Sequence, residues 1–147
     1  MSEGELIVVA VDFEAASDKA LALGKELAAR LGCELAVVHV YQLPVYTYPG
    51  LEPTMMPAFQ AEISGAAKRA IEQLADRHGI KRVLLRQGDP ASEILAAIEE
   101  TRPRLAILGT HGRRGLTHLI LGSVAEKVVR RSVAPVITVR DATSQTR

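Results

Sequence analysis

The stretch AILGTHGRRGLTHLILGSVAEKVV, residues 106–129, changes character twice. It opens on an apolar run that ends at Gly109. It crosses a glycine-rich, basic segment, then resumes at Gly122-Ser123 with apolar residues at three- and four-residue steps. A short apolar run reads as a buried strand and the later spacing as an amphipathic helix, so this is a strand-loop-helix unit.

The same unit recurs on both sides. ELIVVAVD (5–12), ELAVVHV (34–40), KRVLLRQ (81–87), RLAILG (104–109) and APVITVR (134–140) are strand-like runs. Between them lie AASDKALALGKELAARLG (15–32), with Ala20, Leu23, Leu27 and Leu31 as its apolar stripe, and PAFQAEISGAAKRAIEQLADRHG (57–79). DPASEILAAIEETR (89–102) and SVAEKVVRRS (123–132) complete the helices. Gly32 and Gly79 stop the first two, while Asp89 and Pro90 supply an N-cap and a first helical residue. Alternation of strand and helix predicts an α/β fold, one domain over 1–147, with a five-stranded parallel sheet and helices on both faces. Strand order does not follow from the pattern. An order of 3-2-1-4-5 would place the ends of strands one and four, Asp12 and Gly109, at one switch-point crevice.

Composition agrees. The 147 residues are 48% hydrophobic and only 3% aromatic, so the core must be aliphatic, as suits strands buried on both faces. A formal charge of +1 gives no reason to expect a nucleic-acid or membrane surface. No run approaches the roughly 18 apolar residues of a membrane span, and the acidic start MSEGEL is unlike a signal peptide. The single cysteine, Cys33, forms no internal disulfide, which suits a cytoplasmic protein; it is expected to be a small buried apolar residue. YQLPVYTYPGLEPTMMP (41–57), with four prolines, is expected to be a flexible loop, and DATSQTR (141–147) a frayed tail.

In the opening stretch, glycines at the end of a strand let the chain turn and a ligand approach the main chain. Free amides of Gly122, Ser123 and Val124 at a helix start favour an anion. Arg113 and Arg114 can add charge. The competing account is ordinary loop glycines, Ser123 as an N-cap and solvated arginines. The segment is neither a Walker A loop nor a dinucleotide fingerprint. Its spacing is Gly109-x2-Gly112-x9-Gly122-Ser123.

That spacing resembles the G-x2-G-x9-G-[S/T] signature of ATP-binding universal stress proteins. The likeness extends over VAVDFEAASDKAL, VVHV, GDPASEI and APVITV, nearly the whole chain. The resemblance implies a Rossmann-like fold of the adenine nucleotide alpha hydrolase type, and ATP with Mg²⁺ or Mn²⁺ bound through its phosphates. It implies that Ala10, Val11 and Asp12 face the nucleoside and that Val40 touches adenine. Leu108, Gly109, His111, Gly112, Arg113 and Arg114 would surround ribose and phosphates, and Gly122, Ser123 and Val124 would hold the phosphate tail. AMP or cyclic AMP are alternatives. Where the family commonly has serine two residues after the aspartate, this chain has Glu14, expected to point to solvent; Ser17 could supply the hydroxyl instead.

Of the histidines, His39 reads as a satisfied core residue, His78 as a charge suited to a helix C-terminus, His111 as part of the cradle and His118 as surface. No spacing suggests zinc, and no nucleophile-base pair names a catalytic residue. The last strand, Pro135 to Val139, is apolar at four of five positions, uncharged and, in the order 3-2-1-4-5, at the sheet edge, which together with the resemblance predicts a homodimer through it, the alternative being that the tail folds over the edge. The expected function is therefore a nucleotide-dependent regulator or sensor of a stress response, with at most slow ATP hydrolysis or autophosphorylation. A chaperone-like interaction module without nucleotide, and a slow ATPase or phosphotransferase, are the alternatives.

Overall fold

Leu6, Ile7, Val8 and Val9 are consecutive and none is more than 1% exposed. A strand this apolar on both faces must lie inside a sheet covered on both sides. The computed structural model describes residues 5–44, 57–110 and 121–141. It contains β1 (Leu6–Ala10), α1 (Ala15–Leu31), β2 (Glu34–Tyr41), α2 (Pro57–His78), β3 (Arg82–Gln87), α3 (Pro90–Thr101), β4 (Leu105–Gly109), α4 (Ser123–Arg131) and β5 (Val136–Val139). The strands form one parallel sheet in the order β3-β2-β1-β4-β5. The switch-point order is thus the observed one.

Alternation along the strands divides the core in two. Leu6 and Val8, with Ala36, Val38, Ala106 and Leu108, pack under α3 and α4. Ile7, Val9 and Val11, with Val37 and Ile107, pack under α1 and α2.

Helix α1 docks differently from the expectation. Its buried residues are Ala16, Ser17, Ala20, Leu21, Gly24 and Ala28, while Leu23 and Leu27 flank the seam and Leu31 is exposed. The helix lies on its small residues, so its backbone comes close to the sheet. A Cβ on Gly24 would stand 2.5 Å from Val9 Cγ2, and one on Gly109 would stand 2.7 Å from Ala16 Cβ and 3.0 Å from its carbonyl carbon. Both distances are too short for carbon atoms, so glycine is required at this helix–sheet contact.

The ends of the elements follow local chemistry. Asp89 caps α3, accepting from Ser92 N at 3.0 Å, with Pro90 as the first helical residue. Gly32 and Gly79 take the left-handed conformation at φ 69° and 67°. Tyr41 pairs with Gln87 inside the sheet, and α2 opens at Pro57, where the helix-like run of the sequence begins. Asp141 forms an ion pair with Lys19 at 3.4 Å. Residues 45–56 of the loop and 142–147 of the tail lie outside the described residues. Cys33 is half-buried at the margin of the α1–α2 core. Among the described residues no helix is long and apolar enough to cross a membrane.

Candidate functional site

The carboxyl ends of β1 and β4 lie side by side, and two connections leave them for opposite faces of the sheet. The β1–α1 connection is densely hydrogen-bonded. Val11 N–H donates to Val38 O at 2.9 Å, which prolongs β1 along β2. The Val11 carbonyl lies 2.8 Å from His39 Nδ1 and, being only an acceptor, takes that nitrogen's hydrogen. Asp12 N–H donates to Ser17 Oγ at 3.2 Å, Ser17 Oγ–H donates to Glu14 O at 3.1 Å, and Asp12 Oδ1 accepts from Glu14 N–H at 2.9 Å. Between these anchors Phe13 adopts φ 66°, a left-handed backbone that bulky residues seldom take. Its ring meets that of His39 edge-on, with centroids 4.7 Å apart.

The β4–α4 connection is fixed at its two described ends. Thr110, only 3% exposed, donates its N–H to Val139 O at 2.9 Å, and its carbonyl accepts Gly122 N–H at 2.6 Å. Gly122 is the N-cap of α4, its carbonyl taking Glu126 N–H at 2.9 Å. The amides of Ser123 and Val124 then occupy the first turn, where a helix offers them no internal acceptor. Beside this helix start, Ala10, Val40, Leu121 and Val124 are partly buried and pack on the α3–α4 core. Apolar surface and a dipole-positive helix end therefore adjoin at the crevice.

The sequence-predicted residues separate on this map. Ala10, Asp12, Val40, Ser123 and Val124 belong to the carboxyl edge, with Asp12 exposed. The Val11 side chain is 4% exposed and buried toward α1 and α2, and both its backbone groups are engaged. It cannot turn that side chain toward a ligand on the other face. Leu108 is likewise 4% exposed, in the core under α3 and α4. Gly109 faces α1, so its lack of a Cβ makes room for Ala16 rather than for a ligand. The amide of Gly122 is already given to Thr110, which leaves Ser123 and Val124 as the amide pair. The Ser17 hydroxyl spends its hydrogen on Glu14 O and does not replace the serine expected after Asp12. His111, Gly112, Arg113 and Arg114, with His118, lie outside the described residues.

A match to the model of the universal stress protein family covers residues 5–140. The chain belongs to that family. A universal stress protein of Thermus aquaticus is 37% identical over 136 residues, covering 91% of this chain and 97% of its own. Among solved structures, universal stress protein UspA from Lactobacillus plantarum superposes with a TM-score of 0.76 at 21% identity, covering 95% of this chain and 100% of its own. A universal stress protein solved in complex with cAMP gives a TM-score of 0.60 at 24% identity, covering 95% and 98%. These two structural likenesses establish the fold, which is the one described above.

The crevice of this fold is shaped here in part by residues that sequence reasoning missed. Gly24, inside an otherwise Ala- and Leu-rich helix, was a legible signal of close packing. The left-handed Phe13 and the Thr110 bridge had no such signal.

Away from the crevice, a groove of about 300 Å³ is lined by Lys25, Ala28, Glu34, Leu35 and residues 78–81, at the amino end of β2. There His78 Nδ1 lies 3.2 Å from Lys25 Nζ. Desolvation, then Lys25 and Arg77, hold the imidazole below its ordinary pKa. The Lys25 ammonium beside the ring makes the imidazole a poorer carrier of the charge expected at the end of α2. At the start of α3, backbone and side-chain hydrogen bonds from Ser92, then Lys127, keep the Asp89 carboxyl below its usual range. Arg86 bridges Glu93 at 3.8 Å and hydrogen-bonds Glu100. Among the described residues no group of three His, Cys, Asp or Glu side chains could hold a metal ion.

Proposed function

We propose that this universal stress protein binds an adenine nucleotide at the carboxyl edge between β1 and β4, with ATP as the preferred ligand, and acts in the cytoplasm as a nucleotide-dependent regulator of a stress response. One observation carries the reading. The apolar margin formed by Ala10, Val40, Leu121 and Val124 adjoins the first-turn amides of α4. A ligand that suits both has a flat apolar part and an anionic part, as a nucleotide does. The cAMP bound to the structural relative is a ligand of that chemistry. The residues present fit the group. Ala10 and Val40 would receive the base, Ser123 and Val124 the phosphates, and Asp12, with one carboxylate oxygen engaged by Glu14 N–H, has acceptor capacity left for ribose or for Mg²⁺ or Mn²⁺ carried on the phosphates.

The same proposal includes a homodimer through β5. In the parallel β4–β5 pair, Ala106 N–H bonds to Pro135 O and Thr110 N–H to Val139 O. By alternation Ile137 also faces β4, and Val136 and Thr138 turn their backbone groups outward. A second copy could pair with that edge. Thr138→Pro removes an outward N–H without touching the β4 ladder, and should convert a sedimenting dimer to monomer at unchanged fold.

A second reading, the interaction module without nucleotide, is favoured by Gly109 and Gly122, each accounted for by the fold itself. The deciding experiment is to purify the protein without added nucleotide, denature it and identify what is released by mass spectrometry. Millimolar ATP, AMP and cyclic AMP with Mg²⁺ are then compared by thermal shift. At a hundredfold excess over Kd a ligand stabilises by about 2.7 kcal/mol, an easily read rise in Tm. Gly122→Lys should abolish that rise. No released nucleotide and an unmoved Tm with all three ligands would establish the second reading.

A further inference from the structure

Two neighbouring residues of β2 hold Val11 from both ends of its peptide units. Val38 O takes its N–H at 2.9 Å, and His39 Nδ1–H reaches its carbonyl at 2.8 Å. The first is an ordinary sheet bond. The second is a side chain extending the sheet by one acceptor beyond the last paired residue of β1, Ala10. Immediately afterwards the chain must reverse into α1, and it does so through Phe13 at φ 66°. An aromatic residue disfavours that conformation, so something other than its own preference must hold it there. Helix α1 contributes the Ser17 hydroxyl to Asp12 N–H. The Phe13 ring contributes its contact with His39 at 4.7 Å, although the residue is 40% exposed. The imidazole therefore serves two purposes: one ring nitrogen fixes the peptide before Asp12, and the ring itself supports the residue after it.

We infer that His39 is a positioning residue which, by donating Nδ1–H to the Val11 carbonyl and supporting the Phe13 ring, locks the β1–α1 turn so that Asp12 is presented at the crevice. The lock itself stands on the geometry of the turn. Its effect on ligand affinity rests on the nucleotide reading given above.

The requirement is specific in chemistry. The Val11 carbonyl can only accept, so the ring must carry hydrogen on Nδ1. Asparagine places its amide nitrogen about where Nδ1 stands, whereas leucine fills similar volume without a donor. Phe13→Ala keeps the disfavoured backbone while removing the ring, and Phe13→Gly removes the ring but makes φ 66° easy.

The test is solution NMR on the full chain, followed by ATP titration. Long-range ¹H–¹⁵N correlation should show hydrogen on His39 Nδ1. Amide exchange at Asp12 and Glu14 should quicken by roughly five- to tenfold in His39→Leu, the effect of losing about one hydrogen bond, with Val8 and Ile107 unchanged. His39→Asn should restore most of that protection. Phe13→Ala should lose it and Phe13→Gly should retain more of it than Phe13→Ala. ATP Kd should rise in step with exchange in the same variants. An Nδ1 without hydrogen, or wild-type exchange in both His39→Leu and Phe13→Ala, would overturn the lock. Should His39→Leu fail to fold, His39→Asn and Phe13→Ala still decide. If the wild type binds no adenine nucleotide while tautomer and exchange follow the expectation, the lock is upheld and the nucleotide reading alone is lost.

Discussion

The two faces of the sheet are built on different rules. Under α1 the contact is made mostly by backbone and small residues, with Leu21 the large side chain among them, and Gly24 and Gly109 each stand closer to their neighbours than a methyl group allows. Under α3 and α4 it is made by larger side chains, Ile94, Ile98 and Val128, over Val8, Val38 and Leu108, and at the carboxyl edge it thins to the partly buried Ala10, Val40, Leu121 and Val124. One face is closed at every point that the glycines reach. The other is tight in the middle and open at its rim, where a ligand could enter without disturbing the core. Under the nucleotide reading proposed above, stability and binding would fall to separate surfaces of one sheet.

Substitutions on the closed face should have the largest effect on stability. Gly109→Ala must displace the backbone of α1, so a loss of about 2–3 kcal/mol in denaturant unfolding is expected, and Gly109→Val should lose more. Gly24→Ala meets Cγ2 of the buried, β-branched Val9 at 2.5 Å rather than backbone, and gains roughly 1 kcal/mol of helix propensity against an overpacking loss of about 1–3 kcal/mol. It should therefore destabilise no more than Gly109→Ala, whose clash includes the backbone of α1. At the open rim, Val40→Phe should leave the unfolding midpoint nearly unchanged while weakening adenine nucleotide binding by more than about tenfold, as expected for a filled pocket. Equal destabilisation by Val40→Phe and Gly109→Ala would mean that the two faces are equally tight, and the contrast would be gone.

Two smaller effects sharpen the picture away from both faces. Asp89→Ala removes the cap of α3 and should lower Tm by a few degrees, read by circular dichroism. His78 is held below its ordinary value of 6.5 in the fold. In the window below 6.5 the unfolded chain then binds more protons than the folded one, so stability is present above that pH and declines as pH falls through the lower folded value. The residue is exposed, so the decline should be slight, weaken in high salt and vanish in His78→Gln. A pH profile identical in wild type and His78→Gln would remove His78 from the account.

Much of the architecture was legible because aliphatic runs and helix stops are local signals. An unbroken aliphatic run such as Leu6 through Val9 requires a covered sheet, and Gly32, Gly79 and Asp89 end or begin helices where such residues do. The docking seam of α1 was less legible because leucines suggest the stripe, whereas the helix approaches on Ala16, Ala20, Gly24 and Ala28. The site was legible in place more than in role. The spacing that singles out Gly109 and Gly122 is real, yet one glycine serves helix packing and the other bonds to Thr110. Tertiary neighbours decide such roles, and no residue type announces a left-handed Phe13 or the partner of His39 Nδ1.

Thr110 joins two distant surfaces. Its N–H is held by the carbonyl of Val139 on the edge strand, and its own carbonyl holds the N–H of Gly122 at the head of α4. Through the two peptide units on either side of it, Thr110 thus bridges the outermost strand and the helix end beside the crevice. Were β5 to shift in the dimer proposed above, this bridge is the route by which the amides of Ser123 and Val124 would feel it. Were the two events coupled in this way, linkage would require each to alter the affinity of the other by the same factor.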